Sequence, residues 1–150
     1  MNRLMLLALI LTAFAYAEPP QYMRDKTGKL SGSATVNGNN TTYRDSSGRL
    51  SGTSNTQGNR TTFRDSSGRM SGSATVQGNR TTYRDSSGRL SGTSEISGNR
   101  TIYRDSSGKM IGTADVNGNR TIFRDASGRT IGTSDNANPS TTAPRYFFHK

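Results

Sequence analysis

The sequence predicts an all-β protein built from repeated antiparallel β-hairpins. The dipeptide Arg-Asp recurs every twenty residues, and a fixed period of this length is typical of one supersecondary unit stacked on copies of itself. Each repeat contains Asp-x-x-Gly, a turn signal, and short segments rich in Thr, Ser, Tyr and Phe, which favour strands. The six dipeptides lie at positions 24/25, 44/45, 64/65, 84/85, 104/105 and 124/125.

The first seventeen residues lie outside the repeat and predict a secretory signal peptide. Arg3 gives a positive start, an apolar run follows from Leu4 to Phe14, and the small residues Ala15 and Ala17 mark a cleavage site. The apolar run is short for a transmembrane helix, so no transmembrane span is expected after processing; the alternative is a retained N-terminal anchor. The predicted location is secreted, periplasmic or at the cell surface.

The remaining chain divides into four segments by composition. Residues 18–23 form a lead-in, residues 24–134 the six repeats, residues 135–144 a linker, and residues 145–150 an aromatic tail. Isoleucine replaces Thr or Ser in the last repeats, so these are expected to be the more apolar and stable units. The isoleucines are Ile102, Ile111, Ile122 and Ile131.

The composition is basic and poor in apolar residues. The net charge is +10, and removal of residues 1–17 takes away Arg3 and no acid, which leaves +9. Hydrophobic residues make up only 29% and there is no Cys, so neither a thick core nor disulfides can hold an exported domain together. Composition alone would indicate disorder, but a strict repeat that places its apolar side chains regularly argues for a fold.

Within one repeat, Thr41 to Arg60, two turn signals are ten residues apart. Asp45 to Gly48 suits a type I turn closed by a glycine bulge, because Asp accepts local backbone hydrogen bonds and Gly adopts positive φ. The same turn type is predicted for Asn55 to Gly58. Each repeat is therefore expected to contribute two strands of about six residues.

Counting outward from the turns predicts which side chains share a face. Tyr43 should face Ser51, Arg44 should face Leu50, and the next turn should place Ser51 opposite Phe63. The expected aromatic and serine column is Tyr43, Ser51, Phe63, Ser71, Tyr83, Ser91, Tyr103, Ile111, Phe123 and Ile131. A hydroxyl column beside it is expected to contain Thr41, Thr53, Thr61, Ser73, Thr81 and Thr133. The opposite face is expected to contain Arg44, Leu50, Arg64, Met70, Arg84, Leu90, Arg104, Met110 and Arg124.

These patterns favour a hairpin meander over the alternative, a β-solenoid with twenty-residue coils. Both architectures fit the period, but the turn chemistry is that of tight hairpins. A single exposed layer with such thin apolar columns would be marginally stable. Curling of the sheet, self-association or docking on a partner is therefore expected.

The run from Gly78 to Leu90, Gly-Asn-Arg-Thr-Thr-Tyr-Arg-Asp-Ser-Ser-Gly-Arg-Leu, resembles the YD repeat of Rhs and teneurin proteins. That unit has Gly-Asn, an aromatic residue, Tyr-Asp and then Gly-Arg-Leu. The resemblance covers residues 22 to about 134 and implies twisted antiparallel hairpins with a structural or carbohydrate-contacting role. The Tyr before the Asp of the family is Arg in this chain, and six units are too few for the large closed shell of the family.

No catalytic, cofactor or metal site is expected. The single His is His149, Cys is absent, and each Asp of the Arg-Asp dipeptide is better explained as a turn former than as a general base. One carboxylate per hairpin is too sparse for calcium. The Asn-x-Thr triplets at 59, 79, 99 and 119 are glycosylation sequons only in a eukaryotic secretory route, and Asn after a turn Gly is the simpler explanation.

Arginine is the candidate functional residue. A ladder of guanidinium groups suits multivalent binding of an anionic polymer such as an acidic polysaccharide, lipopolysaccharide or another polyanion. The other interpretation of these charges is that they keep a β-rich chain soluble and block edge pairing. Sequence-specific nucleic acid binding is not expected, because the aromatic columns lie on the other face. The alternative is a self-assembling, curli-like fibre protein, favoured by export and a Ser, Thr, Asn and Gly-rich β-repeat. The candidate residues are Arg44, Arg64, Arg84, Arg104, Arg124, Arg49, Arg69, Arg89 and Arg129.

Overall fold

The computed structural model describes residues 19–135 as twelve antiparallel strands without a helix. The first six strands are β1 (Gln21–Asp25), β2 (Leu30–Asn37), β3 (Asn40–Asp45), β4 (Leu50–Gln57), β5 (Arg60–Asp65) and β6 (Met70–Gln77). The last six are β7 (Arg80–Asp85), β8 (Leu90–Ser97), β9 (Arg100–Asp105), β10 (Met110–Asn117), β11 (Arg120–Asp125) and β12 (Thr130–Asp135). Each strand pairs with its neighbours in sequence, so the predicted hairpin meander is confirmed and the solenoid is not formed.

The Asp-x-x-Gly turns have the predicted geometry. The N–H of Gly48 donates to the carbonyl of Asp45 at 3.1 Å, which is the bond of a β-turn. The N–H of Asp45 donates to the carbonyl of Arg49 at 2.9 Å, and Gly48 has a φ of 82°. This combination is a type I turn closed by a glycine bulge, and it recurs in all six repeats.

The second turn of each repeat is tighter than predicted. Gln57 pairs with Arg60, so only Gly58 and Asn59 remain in the turn, and Gly58 has a φ of 58°. A two-residue hairpin turn requires positive φ at its first central residue, which Gly supplies. The prediction of a second Asp-type turn at Asn55–Gly58 is therefore wrong. The overlooked signal is the dipeptide Gly-Asn, which suits a two-residue turn on its own.

A β-bulge after each first turn shifts the register by one residue. Arg44 pairs with Leu50 as predicted, but Tyr43 pairs with Gly52, and Ser51 is the extra residue. The predicted pairing of Tyr43 with Ser51 is therefore replaced. Gly is required at the paired position of the bulge: in the third repeat, a Cβ on Gly72 would lie 2.5 Å from the carbonyl oxygen of Arg84.

The two turn types together produce a stagger that closes the sheet. Tyr43 pairs with Gly52, and Gly52 pairs on its other side with Asp65. The equivalent of Tyr43 in the next repeat is Phe63, so the pairing has advanced by two residues. Six repeats with two residues each give a stagger of twelve residues for twelve strands. This ratio corresponds to a strand tilt of about 36°. β12 pairs with β1, and the sheet becomes a closed barrel with sixfold repetition about its axis.

Aromatic rings from the odd strands fill the barrel against small residues from the even strands. Tyr103 and Phe123 are buried around Ala114, with Ile111 and Ile131 packed beside them. A second cluster joins Phe63, Ala74 and Tyr83. The larger apolar cluster lies in the last repeats, where the isoleucine substitutions predicted it. Burial raises the pKa of the Tyr83 and Tyr103 phenols.

The predicted hydroxyl column is only half correct. Thr41 is buried on the side of Tyr43 and pairs with Ser54. Thr53 instead pairs with Thr42 and Arg64, on the outer face, because the bulge reverses the alternation that follows it. The inner partners of the aromatic residues are therefore Ala34, Ser54, Ala74, Ser94 and Ala114, and Ser134 is the equivalent partner of Met23.

Several predicted segments fall at or beyond the ends of the barrel. β1 begins inside the predicted lead-in, and Asp135, the first residue of the predicted linker, is the last residue of β12. The predicted signal peptide, the rest of the linker and the aromatic tail lie outside the described residues.

Coupling between Tyr83 and Ser94 tests the packing of the interior. Their hydroxyl groups are 3.2 Å apart and buried, whereas the equivalent pair one repeat earlier is Phe63 with Ala74. Ser94→Ala and Tyr83→Phe should each reduce the free energy of unfolding by about 1 kcal/mol. In the double variant, the loss of unfolding free energy should be about 0.5–1 kcal/mol smaller than the sum of the two single losses, as measured by urea denaturation. Strict additivity would show that the pair is not coupled.

Gly72→Ala tests the close approach at the bulge. A Cβ at this position would lie 2.5 Å from a backbone oxygen, so strands β6 and β7 must separate locally. The free energy of unfolding should fall by about 2–4 kcal/mol in chemical denaturation. Ser71→Ala, at the adjacent and partly exposed bulge residue, is the control and should cost less than about 1 kcal/mol. Equal losses for the two variants would contradict the steric explanation.

Candidate functional site: a basic rim

All six Asp-x-x-Gly turns lie at one end of the barrel, and the Arg and Lys residues beside them form what we call the basic rim. In each repeat, one cation precedes the turn Asp and another follows the turn Gly. The preceding residues are Arg24, Arg44, Arg64, Arg84, Arg104 and Arg124. The following residues are Lys29, Arg49, Arg69, Arg89, Lys109 and Arg129. The rim therefore brings together all nine sequence-predicted site residues.

The arginines that precede the turn are fixed against it. Nη1 of Arg64 and Nη1 of Arg84 each donate to the carbonyl of the turn Gly four residues later, at 2.9 Å. The same bond occurs in the other four repeats at 2.9–3.2 Å. A guanidinium has five N–H donors, so one bond to the turn orients the group and leaves most of its donors for other acceptors.

The turn aspartates are held equally firmly. Oδ1 of Asp45 accepts from the Ser47 hydroxyl at 2.7 Å, the Ser47 N–H at 2.9 Å and the Arg49 N–H at 3.0 Å. These bonds, led by the one from the Ser47 hydroxyl, lower the pKa of the Asp45 carboxyl. The pKa values of Asp25, Asp65, Asp105 and Asp125 are lowered for the same reason. The largest cause is again a hydrogen bond from a hydroxyl group, which Thr27 donates to Asp25 and a Ser donates to each of the other three. The carboxylates therefore act as ionised parts of the turns.

Charge is distributed unequally between the two ends of the barrel. Together with Lys26, the basic rim contains thirteen Lys and Arg against six Asp, a net charge of +7. The far rim, where the Gly-Asn turns lie, contains four Arg against Glu95, Asp115 and Asp135, a net charge of +1. The positive charge of the described chain is thus concentrated on one ring-shaped surface.

Ion pairs reduce this charge only on one side of the ring. Nε of Arg24 lies 3.6 Å from Asp135, and Nε of Arg124 lies 3.7 Å from Asp115, which also binds Arg100 at 2.6 Å. Within residues 19–135, no carboxylate pairs with the guanidinium groups on the opposite side of the ring, namely those of Arg64, Arg84 and Arg104. The strongest positive field is therefore expected over the middle repeats.

Exposed aliphatic side chains alternate with the arginines around the outer face, and we call this ring the mixed belt. Arg44 pairs with Leu50, Arg64 with Met70, and the later repeats continue the pattern. Each aliphatic side chain is 36–43% exposed although it lies in a strand. The aliphatic members are Leu30, Leu50, Met70, Leu90 and Met110, and Thr130 takes the sixth position.

The candidate list from the sequence missed Lys26 and three cations at the repeated positions of the basic rim. Arg24, Lys29 and Lys109 occupy the same positions in their repeats as the predicted residues, and the twenty-residue period was a sufficient signal for them. The ring shape could not be predicted, because it depends on closure between β12 and β1. The sequence predicted columns of equivalent side chains in a meander, and curling of the sheet only as one of three alternatives.

The asparagines of the Asn-x-Thr triplets have structural contacts at the far rim. The carbonyl of Asn79 accepts from the N–H of Ile96 at 2.9 Å, while its side-chain Nδ2 donates to the Ile96 carbonyl at 3.2 Å. Asn59 makes the same two contacts with Val76. Each of these asparagines therefore joins one hairpin turn to the next hairpin, which explains why Asn follows the turn Gly.

Comparison with known proteins gives no assignment: no protein-family model matches the chain, and no curated protein matches it. Between residues 19 and 135 there is no group of three or more His, Cys, Asp and Glu side chains that could hold a metal ion. The same part of the chain contains no helix that is long and apolar enough to cross a membrane.

Acid sensitivity tests the role of the turn aspartates. Because their folded pKa is below the unfolded value of about 3.9, their stabilising effect is present above that pH and is lost as the pH falls through the folded pKa. The urea concentration at which half of the protein is unfolded should therefore decrease as the pH is lowered from about 5 to about 3. Asp45→Asn with Asp65→Asn should weaken this pH dependence, whereas Glu95→Gln at the far rim should preserve it. An unchanged pH profile in the double variant would contradict this role.

Proposed function

We propose that this chain is an exported, non-catalytic repeat protein that binds anionic polymers or surfaces multivalently at the cell envelope or outside the cell. The observation that carries the proposal is the concentration of a net charge of +7 on one rim, against +1 on the other. A positive field confined to one surface attracts and orients anionic partners. Export is inferred from the signal-peptide pattern in the first seventeen residues.

The geometry of the rim supports multivalent contact. Equivalent arginines are two strands apart, which corresponds to a spacing of about 10 Å around the ring. Each guanidinium that precedes a turn is oriented by that turn before any ligand arrives, so less conformational freedom is lost on binding. An extended polyanion, such as an acidic polysaccharide or lipopolysaccharide, can contact several of these groups at once, which raises its overall affinity.

Two other observations narrow the partner class. The aromatic residues Phe63, Tyr83, Tyr103 and Phe123 are buried, and the exposed ring of Tyr22 belongs to one repeat, so the described repeats offer no row of stacking rings beside the arginines. The YD-repeat resemblance implies a structural or carbohydrate-contacting role, and the second of these agrees with a polysaccharide ligand. We propose kinship with that unit from the Gly-Asn turn, the inward aromatic residue and the Asp-x-x-Gly turn. These features support a polyanion rather than a nucleic acid sequence as the ligand.

The fibre alternative receives less support. A cross-β fibre grows by pairing of new strands with a free sheet edge. Among the described strands every edge is paired, because β1 bonds to β12. Fibre formation would therefore require opening of the barrel, so we favour the binding function.

Retention on immobilised heparin or lipopolysaccharide tests the proposal. The purified protein should bind either matrix, and its affinity should fall steeply as the salt concentration rises from about 0.05 to 0.5 M. Arg69→Gln with Arg89→Gln, at the basic rim, should weaken binding about three- to tenfold. The matched control is Arg60→Gln with Arg80→Gln, which removes the same charge from neighbouring strands at the far rim and should have little effect.

Two outcomes would contradict the function. Absent or salt-insensitive retention of the parent protein would exclude polyanion binding by charge. Equal losses in the two double variants would show that net charge, rather than the basic rim, determines retention. Circular dichroism of both variants establishes that each remains folded.

A further inference from the structure

We propose that the aromatic tail, residues 145–150, docks on an aliphatic ring at the far rim and closes that end of the barrel. The ring lies beside the Gly-Asn turns, on the inner edge of the sheet, and we call it the far mouth. Its members, one from each of five strands, are Val36, Thr56, Val76, Ile96 and Val116. This inference goes beyond the proposed function and does not depend on binding at the basic rim.

The side chains of the far mouth point toward the interior. Val76 pairs with Thr81 and lies two residues after the buried Ala74, so strand alternation directs Val76 and Ala74 to the same, inner face. The far mouth is therefore the last inward layer of side chains before the Gly-Asn turns. The other four members pair in the same way with Thr41, Thr61, Thr101 and Thr121.

The aliphatic side chains of this layer are incompletely covered. Val76 and Ile96 are each 43% exposed, although they lie on the face that forms the interior. Val36 and Val116, which are nearer to the junction of β12 with β1, are half-buried. Complete burial of a Val or Ile side chain contributes about 1.5–3 kcal/mol relative to full exposure. A segment that lies across the mouth therefore gains most by covering β6 and β8.

Two buried polar atoms mark the place where the chain leaves the barrel. Oε1 of Gln21 and Oγ1 of Thr121 have no hydrogen-bond partner among residues 19–135, and the two residues are 3 and 0% exposed. They belong to β1 and β11, the two neighbours of β12. Buried polar atoms are nearly always paired. The chain leaves β12 between them, at Asp135, so the segment that follows is placed to donate to both.

The tail can reach every part of the far mouth. Residues 136–144 separate Asp135 from the tail, and these nine residues span up to about 30 Å when extended and about 15–18 Å as a flexible chain. Twelve strands about 4.8 Å apart, with a tilt of about 36°, enclose a mouth about 23 Å across. The flexible length therefore exceeds the distance from the wall to the centre of the mouth.

The composition of the tail fits this site. Tyr146, Phe147 and Phe148 are consecutive aromatic residues, and each aromatic side chain can bury a large apolar area. Attachment through a short linker gives an effective concentration in the millimolar range, so a small contact is enough to hold the tail. A second copy of the chain would have to bind the same ring without this advantage. The tail is therefore the favoured occupant.

A tryptophan reporter tests the docking, because the sequence contains no Trp. In the full chain, Phe147→Trp should give a blue-shifted emission that is protected from acrylamide. Addition of Val76→Thr and Ile96→Thr should shift the emission to the red and raise the quenching constant about three- to tenfold, because the aliphatic surface is lost. Thr56 occupies the same position in the second repeat and its hydroxyl lies 2.9 Å from that of Thr61, so the fold tolerates the change.

The matched control is Leu50→Thr with Leu90→Thr in the mixed belt. These side chains are 43 and 41% exposed but lie on the outer face, toward the basic rim. Thr130 occupies the same position in the last repeat. The control should leave the Trp emission unchanged. A solvent-exposed Trp in the reporter protein, or equal shifts in the two double variants, would overturn the inference.

Paired cysteines provide a second measurement, because the sequence contains no Cys. Together with Phe147→Cys, Ile96→Cys should form a disulfide within one chain at least about tenfold faster than Glu95→Cys, the neighbouring exposed residue on the outer face. Both positions lie in β8, so reach alone predicts similar rates. Similar rates would contradict docking on the inner edge. Disulfides that link two chains would assign the far mouth to contact between copies and would also overturn the inference.

Discussion

The stagger of two residues between successive repeats is the constraint on which the rest of the structure depends. Two different turns produce it: the Asp-x-x-Gly turn with its bulge at Ser51, and the two-residue turn at Gly58 and Asn59. If both turns had been of the first type, equivalent residues would have stayed in line and the ribbon would have carried no stagger. Strand tilt and shear are linked in a closed sheet, so this stagger sets the strand tilt with which β12 can pair with β1.

Closure explains how so polar a chain can fold without disulfides. In an open ribbon the aromatic column would have faced solvent, whereas in the barrel the six repeats bring their inner faces toward one axis. Large residues from the odd strands then meet Gly, Ala and Ser from the even strands, as alternation of large and small side chains requires in a narrow interior. The hydroxyl pairs, such as Tyr83 with Ser94, satisfy polar groups that this interior would otherwise leave buried and unpaired.

The same turn that shapes the barrel also orders its charges. Asp45 fixes the turn through three hydrogen bonds, Gly48 closes it, and Arg44 is bound to the carbonyl of that Gly. Sixfold repetition then converts a local stabilising unit into a ring of oriented guanidinium groups. In the proposed function, the same residues would stabilise the turns and bind the ligand, so a separate pocket is not needed. The far rim, built on Gly-Asn turns, has a different composition and a nearly balanced charge.

The sequence by itself determined the all-β class, the twenty-residue unit and the first turn. It also placed Tyr83 and Arg84 on opposite faces of the sheet. These features depend on local turn chemistry and strand alternation. It also identified nine of the ten arginines of the rim, since a strict period repeats any side chain at equivalent sites. The second turn, the bulge and the position of Thr53 were not predicted correctly, because a shift of one residue reverses a face and several glycine turns fit the same ten residues. Only the tertiary structure decided that the ribbon closes and that the arginines form a ring at one end, because closure requires pairing between β1 and β12, strands more than one hundred residues apart.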